Sequence, residues 1–308
     1  MTISNKEARD WKQIELTQDI EKDLKDRISK GEGPDQTLWD AMSYSLLAGG
    51  KWIRPLLLML TGLSLGASKE DLLPFASALE MIHTYSLIHD DLPAMDNDDY
   101  RRGRLTNHKV YGEAQAILAG DGLLNLAFET MSDSCYDSAK VWDHDKTICK
   151  LQAMAYMAHA SGAKGMIAGQ SADLMSEDKT VSSQTLAYTE FNKTSRLLMS
   201  ALYAGAAVAG AGEDVLDALE NAGGMIGLAF QIRDDVLDVE GTLEKLGKMQ
   251  GSDEKSAKST FVSLYGLERA KKEVFALTDQ ALEELRILPG ECGESARALI
   301  RSLAYRDH

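Results

Sequence analysis

The absence of proline from a long central stretch constrains the fold of this chain most strongly. The sequence has five prolines, and none lies between Pro93 and Pro289. That stretch is rich in Ala, Leu, Met, Glu and Lys, which favour helices. Apolar residues recur there at steps of three and four, as at Leu197, Ala201 and Ala204. No run alternates apolar and polar residues as a surface strand would. The sequence therefore predicts an all-α chain.

The organisation along the chain is simple. No internal repeat, low-complexity tract or long linker divides it, so residues 1–308 are predicted to form a single domain. Residues 241–259 are rich in glycine and charged residues and are predicted to form a loop. Helices are predicted near residues 7–30, 36–48, 52–64, 70–91, 112–132, 146–160, 184–209, 213–238, 264–286 and 293–304.

Charge and composition exclude several classes of partner. The net charge is −15, whereas binding to nucleic acid or to an anionic membrane surface needs a basic face. The three cysteines lack C-x-x-C spacing, so neither a disulfide framework nor a thiolate zinc site is expected. The N-terminus does not resemble a signal peptide, and the apolar run at residues 56–60 is far too short to span a bilayer. We therefore expect a cytoplasmic protein without stable membrane insertion.

The motif D-D-V-L-D at residues 234–238 lies in a predicted helix. Helical periodicity puts Asp234 and Asp238 on one face, with Asp235 and Gln231 beside them. Carboxylates at this spacing repel one another, so a cation should balance them. Their hard oxygen atoms suit Mg²⁺, which takes one or two carboxylates and leaves other positions for water and phosphate oxygens.

A second motif, D-D-L-P-A-M-D at residues 90–96, is less regular. Asp90 ends an apolar helical segment, and on an ideal helix Asp96 would lie about 240° around the axis from it. Pro93 biases Leu92 away from helical geometry. We therefore expect a local turn that brings Asp96 back toward Asp90.

Either motif alone would be weak support for a metal site, because one D-D-x-x-D in an acidic chain is more often a solvated helix face. Two such motifs in separate predicted helices, each followed by basic residues, favour metal binding. An EF-hand does not fit, because Tyr100 and Arg101 stand where a further ligand and the turn glycine belong.

Basic residues near the motifs are candidates for binding phosphate groups. Lys51 and Arg54 lie in G-G-K-W-I-R-P, which lacks the spacing of a Walker A loop but can offer a point charge and a guanidinium fork. His83 precedes Asp90 by seven residues and so shares its side of the helix, about 10 Å away along the axis. For each of these residues the alternative is an ordinary surface charge or a core histidine.

Taken together, these motifs resemble the short-chain trans-isoprenyl diphosphate synthases, in particular the bacterial farnesyl diphosphate synthase type. The resemblance covers about residues 40–271. It implies an all-α isoprenoid synthase fold, with ten or more helices around a central active-site cavity, usually in a homodimer. The matching segments are G-G-K-W-I-R-P, M-I-H-T-Y-S-L-I-H-D-D-L-P-A-M-D-N-D-D-Y-R-R-G, G-Q-S-A-D-L, N-K-T-S, F-Q-I-R-D-D-V-L-D and G-K-M-Q-G-S-D.

The resemblance also implies roles for individual residues. Asp90, Asp96 and Asp234 would hold Mg²⁺ bridged to an allylic diphosphate, and Asp173, Asp235 and Asp238 would support the water shell of the metal. Isopentenyl diphosphate would be bound by Lys51, Arg54, His83 and Arg102. The allylic diphosphate would be bound by Arg101, Lys193, Thr194, Gln231, Lys248 and Lys258.

The implied reaction is a head-to-tail condensation. Mg²⁺ and cationic side chains would stabilise the charge on departing pyrophosphate, and isopentenyl diphosphate held nearby would attack the allylic cation. Tyr85 lies five residues before Asp90, about 7.5 Å lower on the helix. A bulky residue there resembles the farnesyl synthases, so the expected product has fifteen carbons. The alternative role for Tyr85 is ordinary helix packing.

Three residues depart from the family pattern: Trp52 replaces a usual arginine, Ser195 a common glycine and Phe261 a common tyrosine. Because Trp52 removes one potential diphosphate donor, the affinity for isopentenyl diphosphate is the predicted property that it affects most. Rival functions are a geranylgeranyl or longer-chain synthase, a terpene cyclase and a non-catalytic prenyltransferase subunit. A terpene cyclase would carry a different second motif where this chain has D-D-V-L-D. A non-catalytic subunit typically loses aspartates or basic residues that this chain retains.

Overall fold

The computed structural model describes residues 10–29, 31, 36–176, 181–246 and 260–305, without the side chains of residues 242–246. Helices dominate the described chain, so the all-α prediction is confirmed. Its strands are limited to a two-residue antiparallel hairpin, β1 (Tyr100–Arg101) and β2 (Arg104–Leu105). The helices are α1 (Trp11–Ile28), α2 (Gln36–Leu46), α3 (Ile53–Ser64), α4 (Lys69–Asp90), α5 (Asn107–Tyr111), α6 (Glu113–Lys140), α7 (His144–Ser161), α8 (Met166–Met175), α9 (Ser183–Glu190), α10 (Arg196–Val208), α11 (Glu213–Leu246), α12 (Phe261–Tyr265), α13 (Leu267–Glu284) and α14 (Gly290–Ala304), with a π-helical turn at Phe191–Ser195 and a 3-10 turn at Leu285–Ile287.

Several local predictions differ from the structure, and three of them have a clear physical reason or a clear boundary. α8 was not predicted, since glycines at its start and in its interior lower the helix propensity, and tertiary packing outweighs this cost. The predicted loop at residues 241–259 is wrong at its beginning, because α11 continues through Gly241 to Leu246. A single glycine costs a helix only about 1 kcal/mol, too little to end a helix that packs along its length. α6 is also longer than predicted and ends at Lys140.

The described residues fall into two compact units. The N-terminal unit comprises residues 10–29, 31, 36–157 and 201–212, and it contains α1–α6, most of α7 and the second part of α10. The C-terminal unit comprises residues 158–176, 181–200, 213–246 and 260–305. The single-domain organisation of residues 1–308 stays a prediction.

α4 is the central helix of the N-terminal unit. It packs against α1, α2, α3 and α6 and has buried residues all around its circumference, including the unbroken run at residues 75–82. α1 instead buries one stripe, formed by Leu16, Ile20 and Leu24 at four-residue spacing. Because α4 is enclosed along its length, its C-terminal end at Asp90 is held in a fixed position.

The N-terminal end of α4 is tied to α7 by a charged network. Asp71 accepts hydrogen bonds from the Nζ atoms of Lys146 and Lys150, each at 2.9 Å, and from the Ser68 hydroxyl at 2.7 Å. Lys150 is buried and also donates to the backbone carbonyl of Ser134 at 3.3 Å. Although burial raises the pKa of Asp71, these donors outweigh it and lower the pKa to about 2.

This network should make stability sensitive to acid. The folded-state pKa of Asp71 lies below its ordinary value of 3.8, so its contribution is present above pH 3.8 and is lost as the pH falls toward 2. We expect Asp71→Asn to lower the free energy of unfolding by about 1 kcal/mol at neutral pH, after allowance for solvent screening. In urea unfolding at pH 7, 4 and 2.5, the difference from the unmodified chain should shrink toward zero. Glu70→Gln, in the same turn but exposed, is the control; a difference for Asp71→Asn that is constant with pH would contradict the assignment.

The C-terminal unit is built around α11 and α13. Ile232, Val236, Ala270, Val274 and Ala304 form a buried cluster on α11, α13 and α14. D-D-V-L-D is therefore part of a helix whose apolar residues Ile232 and Val236 alternate with the acidic ones and fix its rotation. None of the helices in the described residues combines the length and the apolar composition that a membrane-spanning segment needs.

Candidate functional site

The first aspartate motif forms the turn that Pro93 predicts. α4 ends at Asp90, and the backbone N–H of Asp96 donates to the carbonyl oxygen of Asp90 at 2.9 Å. The N–H of Asn97 donates to the carbonyl oxygen of Leu92 at 3.1 Å, and Asn97 itself adopts a left-handed conformation with φ 52°. The expected return of Asp96 toward Asp90 is thus confirmed for the backbone. Asp96 is exposed and Asp90 is partly exposed.

The middle aspartate of this motif is engaged by an arginine. Asp91 is 3% exposed, and one of its oxygen atoms accepts from Nε of Arg101 at 2.6 Å. Burial raises the pKa of Asp91, while the Arg101 guanidinium opposes that rise. Arg101 also approaches Asp98 at 3.5 Å. Asp91 therefore holds Arg101 beside the turn, and the candidate metal ligands here are Asp90 and Asp96.

The basic residues predicted to bind isopentenyl diphosphate belong to the N-terminal unit. Nη1 of Arg54, in the first turn of α3, is 3.5 Å from Nε2 of His83 on α4. Arg102, between the two strands of the hairpin, donates to the carbonyl oxygen of Gly49, two residues before Lys51. The structure thus brings Arg54 together with His83, and Arg102 together with the loop that carries Lys51.

The protonation of His83 follows from its surroundings. Burial, together with Arg54, Arg102 and Arg101, holds its pKa well below the ordinary value of 6.5, so the ring is neutral. A guanidinium can only donate, so Nε2 of His83 accepts from Arg54 and the ring proton lies on Nδ1. His83 can therefore orient Arg54 and still present one N–H donor.

Trp52 has a structural position in this loop. It is 5% exposed and precedes α3 with φ 53°, a left-handed conformation uncommon for a residue with a side chain. Such backbone strain persists only where surrounding packing enforces it. The indole is thus a buried anchor for the start of α3, at the position where the family usually has a third cation.

The candidate residues of the C-terminal unit are joined by hydrogen bonds. Nζ of Lys193 contacts Asp173 at 2.7 Å. The Thr194 hydroxyl donates to Oε1 of Gln231 at 3.0 Å, and Nε2 of Gln231 donates to Asp235 at 3.3 Å. The second oxygen of Asp235 accepts from the backbone N–H of Phe261 at 2.9 Å. Thr194, Gln231 and Asp235 therefore form one chain of donors and acceptors beside Asp234.

Two carboxyl groups in this region hold their protons more tightly than usual. Burial raises the pKa of Asp235, with Asp234 and Asp238 adding to the effect and the Phe261 N–H and Gln231 opposing it. Burial, and secondarily Asp235, raises the pKa of Glu190 to about 8. Glu190 therefore carries less negative charge at neutral pH than an exposed glutamate would.

A π-helical turn positions Lys193 and Thr194. Such turns are rare and occur often at functional sites. The turn is packed closely between α8 and α11, because a Cβ atom added at Gly169 would overlap the backbone of Lys193, and one added at Gly227 would overlap Ser195. Ser195 is fully buried, and its hydroxyl has no hydrogen-bond partner in the described residues.

The close approach at Gly227 gives a testable consequence. Gly227→Ala should lower the free energy of unfolding by about 1–3 kcal/mol, the typical cost of overpacking, because the added Cβ would overlap Cα and Cβ of Ser195, which rotation of the serine side chain does not move, as well as its hydroxyl. Gly224→Ala in the same helix is the control, since the nearest atoms to its added Cβ are 3.7 and 4.0 Å away. Gly224→Ala should leave the free energy of unfolding unchanged or raise it by up to about 1 kcal/mol, because alanine favours a helix more than glycine does. Equal thermal unfolding of the two variants would contradict this account of the packing.

Comparisons with known proteins decide the family. The profile described as Polyprenyl synthetase matches residues 35–287. The chain belongs to the polyprenyl synthetase family. It is 45% identical over 294 residues to the farnesyl diphosphate synthase of Geobacillus stearothermophilus, with 96% of each chain covered. It is 44% identical over 265 residues to the geranylgeranyl diphosphate synthase of Cyanophora paradoxa, covering 85% of this chain and 86% of that one.

Solved structures agree with this family membership. The crystal structure of an FPP/GFPP synthase from Zymomonas mobilis, in its apo form, matches with a TM-score of 0.82 and 37% identity, covering 95% of this chain and 97% of that one. The match confirms the isoprenoid synthase fold expected from the motifs.

Some of the predicted site residues of this polyprenyl synthetase lie outside the described part of the chain. The structure also shows residues in the site whose roles the sequence did not predict. Lys248 and Lys258 lie outside the described residues. The role of Asp91 as an anchor for Arg101 was missed, since sequence spacing does not show which carboxylate an arginine contacts. Glu80 and Glu190 were missed as well. Glu80 could have been found from its position three residues before His83, on the same face of α4.

The donors of the two motifs fit a magnesium ion by their chemistry. All of them are carboxylate oxygens, the ligands that Mg²⁺ prefers. Within the described residues no group of three or more His, Cys, Asp or Glu side chains could hold a metal by itself.

Proposed function

We propose that this polyprenyl synthetase condenses isopentenyl diphosphate with dimethylallyl diphosphate and then with geranyl diphosphate, giving farnesyl diphosphate. The observation that carries the proposal is the turn that returns Asp96 to Asp90, followed directly by Arg101 and Arg102. Carboxylates and cations in such proximity suit a substrate that carries both a diphosphate and its metal ions. The similarity to a farnesyl diphosphate synthase over 96% of both chains supports the same product.

The proposed metal ligands are Asp90 and Asp96 from one motif and Asp234 from the other, with Asp173, Asp235 and Asp238 supporting the water shell. When bound, Mg²⁺ would supply positive charge to the phosphate oxygens of the leaving group. The carboxylate chemistry, the turn at Asp96 and the helix face that Asp234 shares with Asp238 support this set of ligands.

The proposed role of the cations is to bind and orient the two substrates. Lys51, Arg54 and Arg102 hold the diphosphate of isopentenyl diphosphate, with His83 orienting Arg54 through its Nε2 atom. The allylic diphosphate is held by Arg101, Lys193, Thr194, Gln231, Lys248 and Lys258, and the hydrogen bond from Thr194 to Gln231 joins two of these residues.

The proposed reaction then follows from charge and position. The allylic carbon–oxygen bond breaks and its electron pair leaves with the diphosphate, whose charge the cations stabilise. The double bond of isopentenyl diphosphate, held close by, forms the new 1'-4 carbon–carbon bond. A proton is lost from the resulting cation to the released diphosphate, which regenerates a double bond. Geranyl diphosphate then serves as the next allylic substrate.

A geranylgeranyl or longer-chain synthase is the second candidate, because a geranylgeranyl diphosphate synthase is 44% identical to this chain. Tyr85 favours the shorter product. It is 5% exposed on α4, and its ring lies edge-on to His89, with centroids 5.8 Å apart. An aromatic ring fixed about one and a half turns before the first motif would limit the space for a growing prenyl chain.

The deciding experiment is incubation of the purified chain with dimethylallyl and isopentenyl diphosphates and Mg²⁺. We expect farnesyl diphosphate as the main product by mass spectrometry, and no product when Mg²⁺ is chelated. A twenty-carbon main product would favour the second candidate. A cyclised hydrocarbon would indicate a terpene cyclase, and the absence of any condensation product would indicate a non-catalytic subunit.

A cytoplasmic homodimer is proposed as the working form. α6 exposes Ile117 and Leu118 at 45% and 50%, and α7 exposes Ile148 at 64%, although such residues are usually buried. Covering them with a second copy of the chain would remove this apolar surface from water. Light scattering should give twice the chain mass of 33.7 kDa, and a monomer mass would contradict the proposal.

A further inference from the structure

Glu80 is a carboxyl group inside the N-terminal unit that the proposed mechanism does not use. It is 3% exposed and lies on α4 one turn before His83, so the two residues share a face. Glutamate is almost never fully buried unless charges or hydrogen bonds compensate the loss of water. Its surroundings should therefore explain its presence.

The charges that face Glu80 come from two other elements. Arg54 belongs to α3, and its Nη1 atom lies 3.5 Å from Nε2 of His83, on the face of α4 that His83 shares with Glu80. Arg102 belongs to the hairpin, and both arginines act on Glu80 electrostatically. His83 on its own helix is neutral. Burial raises the pKa of Glu80 to about 7, and the two arginines oppose that rise. Near neutral pH the group is therefore divided between its charged and its protonated forms.

Arg54 and Arg102 are two of the cations proposed to bind isopentenyl diphosphate. We propose that Glu80 is the internal counter-ion of these two arginines, and that it takes up a proton when a diphosphate binds to them. This inference rests on the proposed function of the site. Glu80 is here a positioning residue, which acts through Arg54 and Arg102 and does not touch the substrate.

The physical reason is the change in charge around a buried carboxyl group. In the empty site the arginines favour the carboxylate form of Glu80. A bound diphosphate compensates their positive charge and adds negative charge, so it disfavours a nearby carboxylate. Protonation of Glu80 leaves both guanidinium groups available to the substrate. A residue that only filled space could be glutamine without any effect on proton binding.

The direct test is calorimetric titration with isopentenyl diphosphate, without allylic substrate, in buffers of different ionisation enthalpy at pH 8. The unmodified chain should take up roughly half a proton or more per bound ligand, and Glu80→Gln should take up almost none. The ligand is not the source, because the last phosphate proton dissociates near pH 6, so at pH 8 its binding could only release protons. Glu70→Gln, an exposed site on the same helix, should behave like the unmodified chain.

The dissociation constant gives a second readout. For the unmodified chain it should rise up to about tenfold per pH unit above pH 7, because binding is linked to proton uptake. For Glu80→Gln this rise should largely disappear, whereas His83→Gln should retain it because His83 is already neutral. Circular dichroism checks that each variant is folded. Should Glu80→Gln fail to fold, the buffer dependence of the unmodified chain and of His83→Gln still decides.

The outcomes separate this inference from the proposed function. Binding without net proton uptake, or equal uptake by Glu80→Gln, would overturn the role of Glu80 and leave the condensation assay unaffected. Failure to bind isopentenyl diphosphate would overturn the proposed substrate site, and this inference with it.

Discussion

Tyr85→Ala should shift the main product from fifteen carbons to twenty or more. The Tyr85 ring is fixed by burial on α4 and by its edge-on contact with His89. It lies close enough to Asp90 for that carboxylate to add to the burial that raises the pKa of the Tyr85 hydroxyl to about 12. Truncation to alanine removes the ring from the space below the first motif. Mass spectrometry of the products, with isopentenyl diphosphate in excess, measures the shift.

Tyr85→Phe is the matched control for this experiment. The Tyr85 hydroxyl is buried without a hydrogen-bond partner in the described residues, so its removal changes little beyond one unsatisfied polar group. Phenylalanine should therefore keep the fifteen-carbon product, because the ring is what limits the chain. An unchanged product profile for Tyr85→Ala would refute this role, and a longer product for Tyr85→Phe would assign it to the hydroxyl.

The second large effect is expected at Asp96. Asp96→Asn should lower kcat by on the order of 10²–10³, comparable to the loss of one strong charge-stabilising group. Asparagine keeps the backbone N–H that donates to the carbonyl oxygen of Asp90, so the turn should persist. The change therefore tests the carboxylate alone. Raising the Mg²⁺ concentration should restore part of the rate if the carboxylate is a metal ligand.

Asp99→Asn provides the comparison. Asp99 lies three residues further along and is exposed, with its carboxylate 2.7 Å from Nζ of Lys109. Exposed ion pairs of this kind contribute at most about 1 kcal/mol to stability, and Asp99 is not one of the proposed metal ligands. We expect a kcat within about twofold of the unmodified chain. Equal losses for Asp96→Asn and Asp99→Asn would argue for a general effect of acidic charge and against a specific ligand.

Regular helices and the first motif were predictable from local chemistry. The spacing of apolar residues and the scarcity of proline indicated α1–α4 closely, and Pro93 indicated the turn at Asp96. These features depend on interactions between residues near in sequence. The face shared by Asp234 and Asp238 likewise follows from helical periodicity, and α11 does extend through both.

Features that depend on distant partners were not predictable. α8 forms despite its glycines because Gly169 allows close contact with Lys193, which is 24 residues away in sequence. Asp91, and not its neighbour, anchors Arg101 because of the path taken by the hairpin. The environment of Glu80 depends on arginines from two other elements. A single sequence gives no measure of such distances.

The π-helical turn at Phe191–Ser195 has a consequence for the two helices that it joins. A π turn holds about one residue more than an α turn, so it offsets the rotational phase of α10 from that of α9 by roughly one residue, or 100°. α10 can therefore bury Leu197 and Leu198 without dictating where Lys193 and Thr194 point. This single inserted residue uncouples the direction of two side chains proposed to bind substrate from the packing of the helix that follows.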